Sequence, residues 1–237
     1  MFSAVIFDLD GVVADTHPVH KKAWRQLLTE LGREVSEEDL DFIVEGRRRD
    51  EILHFFLGDL SKQQIAEYGS RKDCLFRMAA GEVQPVQGVV TFLEQLERQK
   101  CPVAIATSAG KARTYFLLQK LGLAGRFLAV VTGEDVGLGK PHPETFLLAA
   151  KRIQAQAESS LVVEDSTAGV KAAKAAGMKC MGIASGDRVR RLIDAGADYV
   201  YSGFIGLTVT KLRDVLAPMA AEEITRSRAM SQCGFTL

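Results

Sequence analysis

The sequence predicts an α/β protein, a doubly wound parallel sheet carrying an inserted all-helical segment. Three observations carry this. Short apolar runs recur at 4–7, 103–106, 128–131, 161–163, 180–183 and 199–201. From about residue 86 onward they alternate with stretches of helical periodicity, whereas residues 15–85 hold helical patterns and no convincing strand. Continuous apolar runs bounded by polar or small residues mark strands buried on both faces. Their alternation with helices marks a parallel sheet wound in both directions.

Taken in order, the first run is AVIF, followed at once by acids and Gly11. In the next segment Ala23, Trp24, Leu27, Leu28 and Leu31 share one helix face that ends at Gly32. Leu40, Ile43 and Val44 mark a second helix, 52–57 a third and 65–78 a fourth. Loops in α/β units run to about six residues, so an interruption of about 70 is a unit in its own right. The expected organisation is a core of residues 1–14 and 86–237 with a helical cap of residues 15–85 over the sheet edge. Beyond it, Val89, Phe92, Leu93 and Leu96 have i, i+3, i+4, i+7 spacing. KARTYFLLQKLGL from Lys111 stops at Gly122, PETFLLAAKRI begins at Pro143, and AGVKAAKAAG from Ala168 ends at Gly177. The tail after Pro218 reads as a short helix followed by disorder. No internal repeat or low-complexity tract is present.

Composition narrows the function classes. The chain has 237 residues, 47% of them hydrophobic, enough to bury a core without disulfide or metal staples. Lys plus Arg and Asp plus Glu are each 30, so bulk charge does not suit it to coat nucleic acid or a membrane. No apolar run reaches the ~18 residues of a membrane span, and the opening run is too short for a signal peptide. Cys74, Cys101, Cys180 and Cys233 are scattered without a C-x-x-C pair, which disfavours zinc and dithiol chemistry. A reducing cytoplasm is the expected setting.

Ligands of an open parallel sheet bind beyond the carboxyl ends of its strands. After the first run come Asp8, Asp10 and Gly11; after the second, Thr107 and Ser108. Past a loop from the third lies Lys140 in GLGKPHPE, and after the fourth come Glu164 and Asp165. Carboxylates gathered on one rim repel one another unless a cation joins them, and oxygen ligands suit Mg²⁺. An Asp carboxylate can attack phosphorus. A metal must then screen the two anions, and a lysine must neutralise charge on the transferring oxygens. The turn at Gly11 lets both Asp8 and Asp10 face the rim, one as nucleophile and the other as proton donor and acceptor.

Four ordered motifs carry a resemblance. FDLDGVVADT from Phe7, IATSAG from Ile105, GKPHPE from Gly139 and VVEDSTAGVKAAKAAGM from Val162 resemble the haloacid dehalogenase superfamily of phosphotransferases. Residues 15–85 are similar to the helical cap of its phosphatase and β-phosphoglucomutase branch. The resemblance implies Asp8 as nucleophile and Mg²⁺ ligand, and Asp10 as general acid/base with its backbone oxygen on the metal. It implies Thr107 and Ser108 as phosphate contacts and Lys140 as partner of both nucleophile and phosphate. Asp165 would be a direct Mg²⁺ ligand and Glu164 a direct or water-mediated one. The expected reaction is hydrolysis of a small phosphorylated metabolite, a sugar phosphate above others, through an aspartyl-phosphate. The Asp two residues after the nucleophile disfavours dehalogenation.

His20, Arg49 and Lys72 resemble cap residues that the β-phosphoglucomutase group uses, where the arginine holds the non-transferring phosphate of a sugar bisphosphate, and Arg47 and Arg48 add charge beside Arg49. Each also has an ordinary structural reading. His20 lies four residues from Trp24 on one helix face and suits packing, the arginine run suits a solvated turn, and for Lys72 the structural reading leads. His17 and His142 read as loop residues, and Thr16 and Pro18 as the hinge into the cap. SAGKA from Ser108 departs from the mutase group's Ser-Lys/Arg-Asn pattern, so a phosphatase is favoured over a mutase. A phospho-aspartate signalling receiver would place its acceptor on a middle strand of a chain about half as long. A P-loop fails because position 134 is Glu and Pro141 follows the lysine.

Overall fold

The computed structural model describes residues 2–44 and 49–216. Strand β1 (Ala4–Phe7) leads to a two-residue strand β2 (Ala14–Asp15). Helices α1 (His17–Glu30), α2 (Glu37–Ile43), α3 (Arg49–Leu57) and α4 (Lys62–Ala79) follow, then a second two-residue strand β3 (Gln84–Pro85). The rest alternates through α5 (Val89–Arg98), β4 (Val103–Ala106), α6 (Lys111–Lys120), β5 (Ala129–Val131) and α7 (Glu144–Arg152). It continues with β6 (Ser160–Glu164), α8 (Thr167–Ala175), β7 (Lys179–Ile183), α9 (Arg188–Asp194), β8 (Tyr199–Tyr201) and α10 (Val209–Leu216).

The main sheet is parallel throughout, in the order β5-β4-β1-β6-β7-β8. Its winding reverses between β1 and β6, which opens a crevice at their carboxyl ends. Side chains alternate across this sheet. Phe7, Ile105 and Val163 face one layer, where Phe7 meets the rings of Phe92, Phe127 and Phe204 at centroid distances of 6.3, 6.3 and 6.5 Å. Ala4, Ala104 and Ala106 face the other, and their small side chains let α7 and α8 close on the sheet through Phe146 and Val170. Each large side chain buried this way contributes about 1.5–3 kcal/mol.

Helices α1–α4 pack among themselves, chiefly α1 on α4, and their buried Trp24, Leu27, Leu40 and Phe76 continue the apolar cluster that contains Phe7. Their starts follow from local sequence. Ser36 with Asp39 and Ser61 with Gln64 form reciprocal capping boxes at α2 and α4. Thr16 precedes α1 but makes no side-chain cap, because its hydroxyl is directed to Asp10. The segment expected to lack strands has one short ladder at its margins. β2 pairs antiparallel with β3, Ala14 opposite Pro85 and Asp15 opposite Gln84, holding the two chain crossings side by side. A two-residue strand is too short to leave a periodic signal. β6 also runs one residue further than its apolar core, so Glu164 ends the strand rather than following it. Arg47, Arg48 and the tail after Pro218 lie outside the described residues. Among the described residues no helix is long and apolar enough to cross a membrane.

Candidate active site

The site is built at the crevice. Asp8 leaves β1 with its backbone N–H donated to Val163 of β6 (2.9 Å), which fixes it at the reversal point. Lys140, from the loop before α7, is buried and donates to Asp8 Oδ1 at 2.5 Å, Glu164 Oε1 at 2.7 Å and the Ala106 carbonyl at 3.1 Å. Both oxygens of Glu164 are engaged, because Oε2 accepts from the Asp165 N–H, the Ser166 N–H and the Ser166 hydroxyl. Glu164 thus braces Lys140 from within the protein. A Cβ at Gly169 would stand 1.7 Å from Glu164 Oε1, so only glycine lets α8 pass over this carboxylate. Thr107 is buried and its Oγ1 accepts from the Ala109 N–H (3.0 Å), which leaves the hydroxyl proton for another acceptor. Ser108 beside it is exposed.

Asp165 follows β6. Its Oδ2 lies 3.0 Å from His17 Nε2 and accepts from Arg188 Nη2 at 2.9 Å, and the same nitrogen donates to the Asp165 carbonyl at 2.7 Å. The turn after Asp10 presses close: Gly11, at φ +73°, would put a Cβ 2.3 Å from Asp165 Oδ2. Burial pushes the Asp8 carboxyl well above its usual range; Lys140 opposes this, while the charges of Glu164, Asp10 and Asp165 add to it. An added cation would relieve that repulsion. The available donors are oxygens only: the Asp8 and Asp165 carboxylates and the Asp10 carbonyl. The backbone bonds of this turn leave that carbonyl alone, running from Gly11 to Ala14 and from Val13 and Ala14 to Leu9. Such a set fits Mg²⁺, which keeps waters and binds through one or two carboxylates. Among the described residues no group of three or more His, Cys, Asp or Glu side chains is placed to hold a metal ion by itself.

Asp10 sits in a polar chain that joins the sheet to the helices. Arg113, in the first turn of α6, donates Nη1 to Oδ1 (3.0 Å) and Nη2 to Oδ2 (2.8 Å). The Thr16 hydroxyl donates to Oδ1 (2.7 Å). Burial alone would raise this carboxyl, but Arg113, His20 and Thr16 together hold it well below the usual range. His20 Nε2 lies 2.8 Å from Arg113 Nη1, and its Nδ1 2.7 Å from Lys72 Nζ. Burial, reinforced by the Lys72 charge, lowers His20 to about 3, so the ring is neutral. Lys72 is itself buried beside Trp24 and Phe76, and burial with the Arg113 charge brings it to about 7.

These groups line one cavity of about 730 Å³. Asp8, Thr107, Lys140 and Asp165 form its sheet end, and Trp24, Ile52, Ile65, Lys72 and Arg49 its helical end. Arg49 is already paired, its Nη2 donating to both oxygens of Asp73 at 2.8 Å.

Asp8, Asp10, Thr107, Ser108, Lys140, Glu164 and Asp165 therefore converge, and His20, Arg49 and Lys72 line the same cavity. Lys72, read from sequence as structural first, is buried in α4 and also lines the cavity. His17 is not a loop residue: it opens α1 and reaches Asp165. His142 does lie in a loop. Two cationic residues escaped the sequence reading. Arg188 follows the fifth sheet strand, and inspecting that strand end like the other four would have found it. Arg113 lies one helical turn beyond the Thr107–Ser108 end of β4, and a basic residue at the start of a helix gives no signal by itself.

The family profile described as haloacid dehalogenase-like hydrolase matches residues 5–183. Fructose-1-phosphate phosphatase YqaB of Escherichia coli is 32% identical over 186 residues, 77% of this chain and 96% of its own. β-Phosphoglucomutase of Bacillus subtilis is 30% identical over 220 residues, 89% of this chain and 94% of its own. Among solved structures, a CbbY variant from Rhodobacter sphaeroides in complex with xylulose-(1,5)bisphosphate matches with a TM-score of 0.73 at 26% identity, covering 86% of this chain and 95% of that one.

Proposed function

This chain belongs to the haloacid dehalogenase-like hydrolase family, and from that premise we propose a Mg²⁺-dependent phosphatase that hydrolyses a small sugar phosphate through an aspartyl-phosphate on Asp8. The observation that carries the proposal is the buried Asp8–Lys140–Glu164 bridge at the reversal point of the sheet. Sugar phosphates are favoured because the relatives include a fructose-1-phosphate phosphatase and a β-phosphoglucomutase. Residues 1–14 and 86–237 serve as the catalytic core, and residues 15–85 as a cap that selects substrate and excludes water.

In this reading Asp8 attacks phosphorus, its oxygen forming the new bond as the bond to the leaving oxygen breaks. Asp10 must first take up a proton against the pull of Arg113, His20 and Thr16; it then gives that proton to the leaving oxygen and takes one from the water that attacks the aspartyl-phosphate and releases inorganic phosphate. The Thr107 hydroxyl donates to a phosphoryl oxygen. Lys140 balances charge gathering on the transferring oxygens. Mg²⁺, held by Asp8, Asp165 and the Asp10 carbonyl, would supply the screening that lets two anions meet. Glu164 acts by bracing Lys140, and Arg188 and His17 by orienting Asp165.

Asp8→Asn is expected to abolish phosphate release from p-nitrophenyl phosphate, and EDTA to abolish it in the wild type. Retained activity in either case refutes the mechanism. A mutase reading keeps the same chemistry but passes the phosphoryl group to a second sugar hydroxyl. It is judged with β-glucose 1-phosphate, Mg²⁺ and catalytic glucose 1,6-bisphosphate, where glucose 6-phosphate without free phosphate would overturn the phosphatase.

A further inference from the structure

We propose that Arg113 is a ligand-operated latch on Asp10, released when an acidic group on the leaving portion of the substrate draws its guanidinium away. The inference rests on the phosphatase reading, which defines the task of Asp10.

The fork of Arg113 covers both carboxylate oxygens of Asp10, at 3.0 and 2.8 Å, and Thr16 adds a third donor. A carboxylate held this way has little freedom to turn toward a leaving oxygen or a water. At least one arm of the fork must let go before proton transfer.

What draws it off follows from counting acceptors. The His20 ring stands between Arg113 Nη1 at 2.8 Å and Lys72 Nζ at 2.7 Å. A neutral imidazole accepts at one nitrogen only, while guanidinium and ammonium groups only donate. When Lys72 is protonated, the state that a nearby anion favours, the ring cannot satisfy both neighbours and an acceptor is short at this point of the cavity. An anion entering beyond the transferring phosphoryl group supplies it and meets Arg113 and Lys72 together. Once Arg113 pairs with the anion, Asp10 keeps Thr16 and, at 3.6 Å, His20. The preferred substrate is therefore a phosphate monoester with a second acidic group, carboxylate or phosphate, on its leaving portion. Arg113 is a positioning residue for Asp10 as well as the contact for that group.

The test compares wild type, Arg113→Met and Arg113→Lys on three substrates: p-nitrophenyl phosphate without a second anion, 2-phosphoglycolate with a carboxylate, and fructose 1,6-bisphosphate with a phosphate. Removing the latch should raise kcat on p-nitrophenyl phosphate severalfold. It should lower kcat/KM about tenfold or more on whichever acidic substrate the enzyme uses, the loss expected for a charged hydrogen-bond partner. Lysine keeps the charge but not the fork and should fall between. Trp24 is the only tryptophan in the chain and lines the cavity, so its fluorescence reports binding without turnover. In an Asp8→Asn background, Arg113→Met should weaken fructose 1,6-bisphosphate about tenfold or more and leave inorganic phosphate unchanged. Parallel losses on all substrates mark a merely structural arginine and overturn the latch, as does unchanged selectivity in the fluorescence titration. Absence of any phosphate release by the wild type sinks the phosphatase reading, and the titration then judges Arg113 alone.

Discussion

Lys140→Met tests the buried ion triad directly. Lys140 is nearly inaccessible (side chain 4% exposed), as are its partners Asp8 (10%) and Glu164 (1%). Methionine fills much the same space without the charge. Oδ1 of Asp8, Oε1 of Glu164 and the Ala106 carbonyl each lose this hydrogen-bond donor. Removing one partner of a buried ion pair costs about 3–5 kcal/mol. At about 2–4 °C per kcal/mol for a chain of this size, Tm should drop by about 6–20 °C without Mg²⁺. The pH dependence identifies the cause. Asp8 titrates above its unfolded value, so keeping it ionised in the folded state costs stability as pH rises beyond the ordinary carboxylate range of about 4. Burial alone would lower Lys140, but the charges and hydrogen bonds of Asp8 and Glu164 hold it above its usual value. Its contribution is therefore full at neutral pH and is lost only at strongly alkaline pH. The gap between wild type and variant should be small while Asp8 is protonated, open as pH rises through its raised titration range, above the ordinary carboxylate value of about 4, and persist until Lys140 loses its proton. Urea titrations followed by circular dichroism at several pH values measure it. A gap that stays below about 1 kcal/mol on the alkaline side of that range, or the same gap in acid, would refute the assignment of Lys140 as the counter-charge.

Two further substitutions separate the sheet end of the cavity from the helical end. Lys72→Met should stabilise the protein at neutral pH, by up to about 4 kcal/mol. Burial lowers Lys72 to about 7, so the cost of charging it grows as pH falls from the ordinary lysine range toward neutrality; an equal effect at neutral and alkaline pH in urea titrations would argue against a depressed lysine. Gly169→Ala should displace Glu164 from Lys140, because the new methyl would overlap its carboxylate. Displacing such a supporting group is expected to lower kcat about 10–100-fold, and wild-type kinetics would show that the brace is dispensable.

The sheet and the acids on its rim could be read from the sequence because both are local. A buried strand is a short apolar run, and whatever follows it falls at the sheet's carboxyl edge, so Asp8, Thr107 and Asp165 were found from position alone. Lys140 lies past a loop from the third run, whose path no periodicity describes, so its pairing with Asp8 and Glu164 shows only in the fold. The ladder of Ala14–Asp15 with Gln84–Pro85 left no signal because two residues make no pattern. Arg113, Arg188 and His17 act on carboxylates distant in sequence, 103, 23 and 148 residues away in the chain. Arg188 at least follows a strand end, but surface arginines and histidines have the same local context as Arg113 and His17, and only the folded chain distinguishes those two.

The equal numbers of acidic and basic residues conceal an ordered separation within the cavity. Its sheet end gathers Asp8 and Glu164 around Lys140, with Asp165 held by Arg188 beside them, and its three carboxylates outnumber its two fixed cations. Its helical end gathers Arg49, Lys72 and Arg113 around a neutral imidazole, and two of these cations already have a carboxylate. A phosphate ester lying along the cavity would meet the cation site with its transferring group and the basic end with its remainder. Asp10 sits at the boundary, tied by Arg113 to the basic end and by its neighbours in the chain to the acidic end. The residue proposed to move a proton is thus held by the group that would recognise the leaving portion. Recognition and proton transfer are coupled through one guanidinium, and a substrate that fills only the acidic end would leave Asp10 latched.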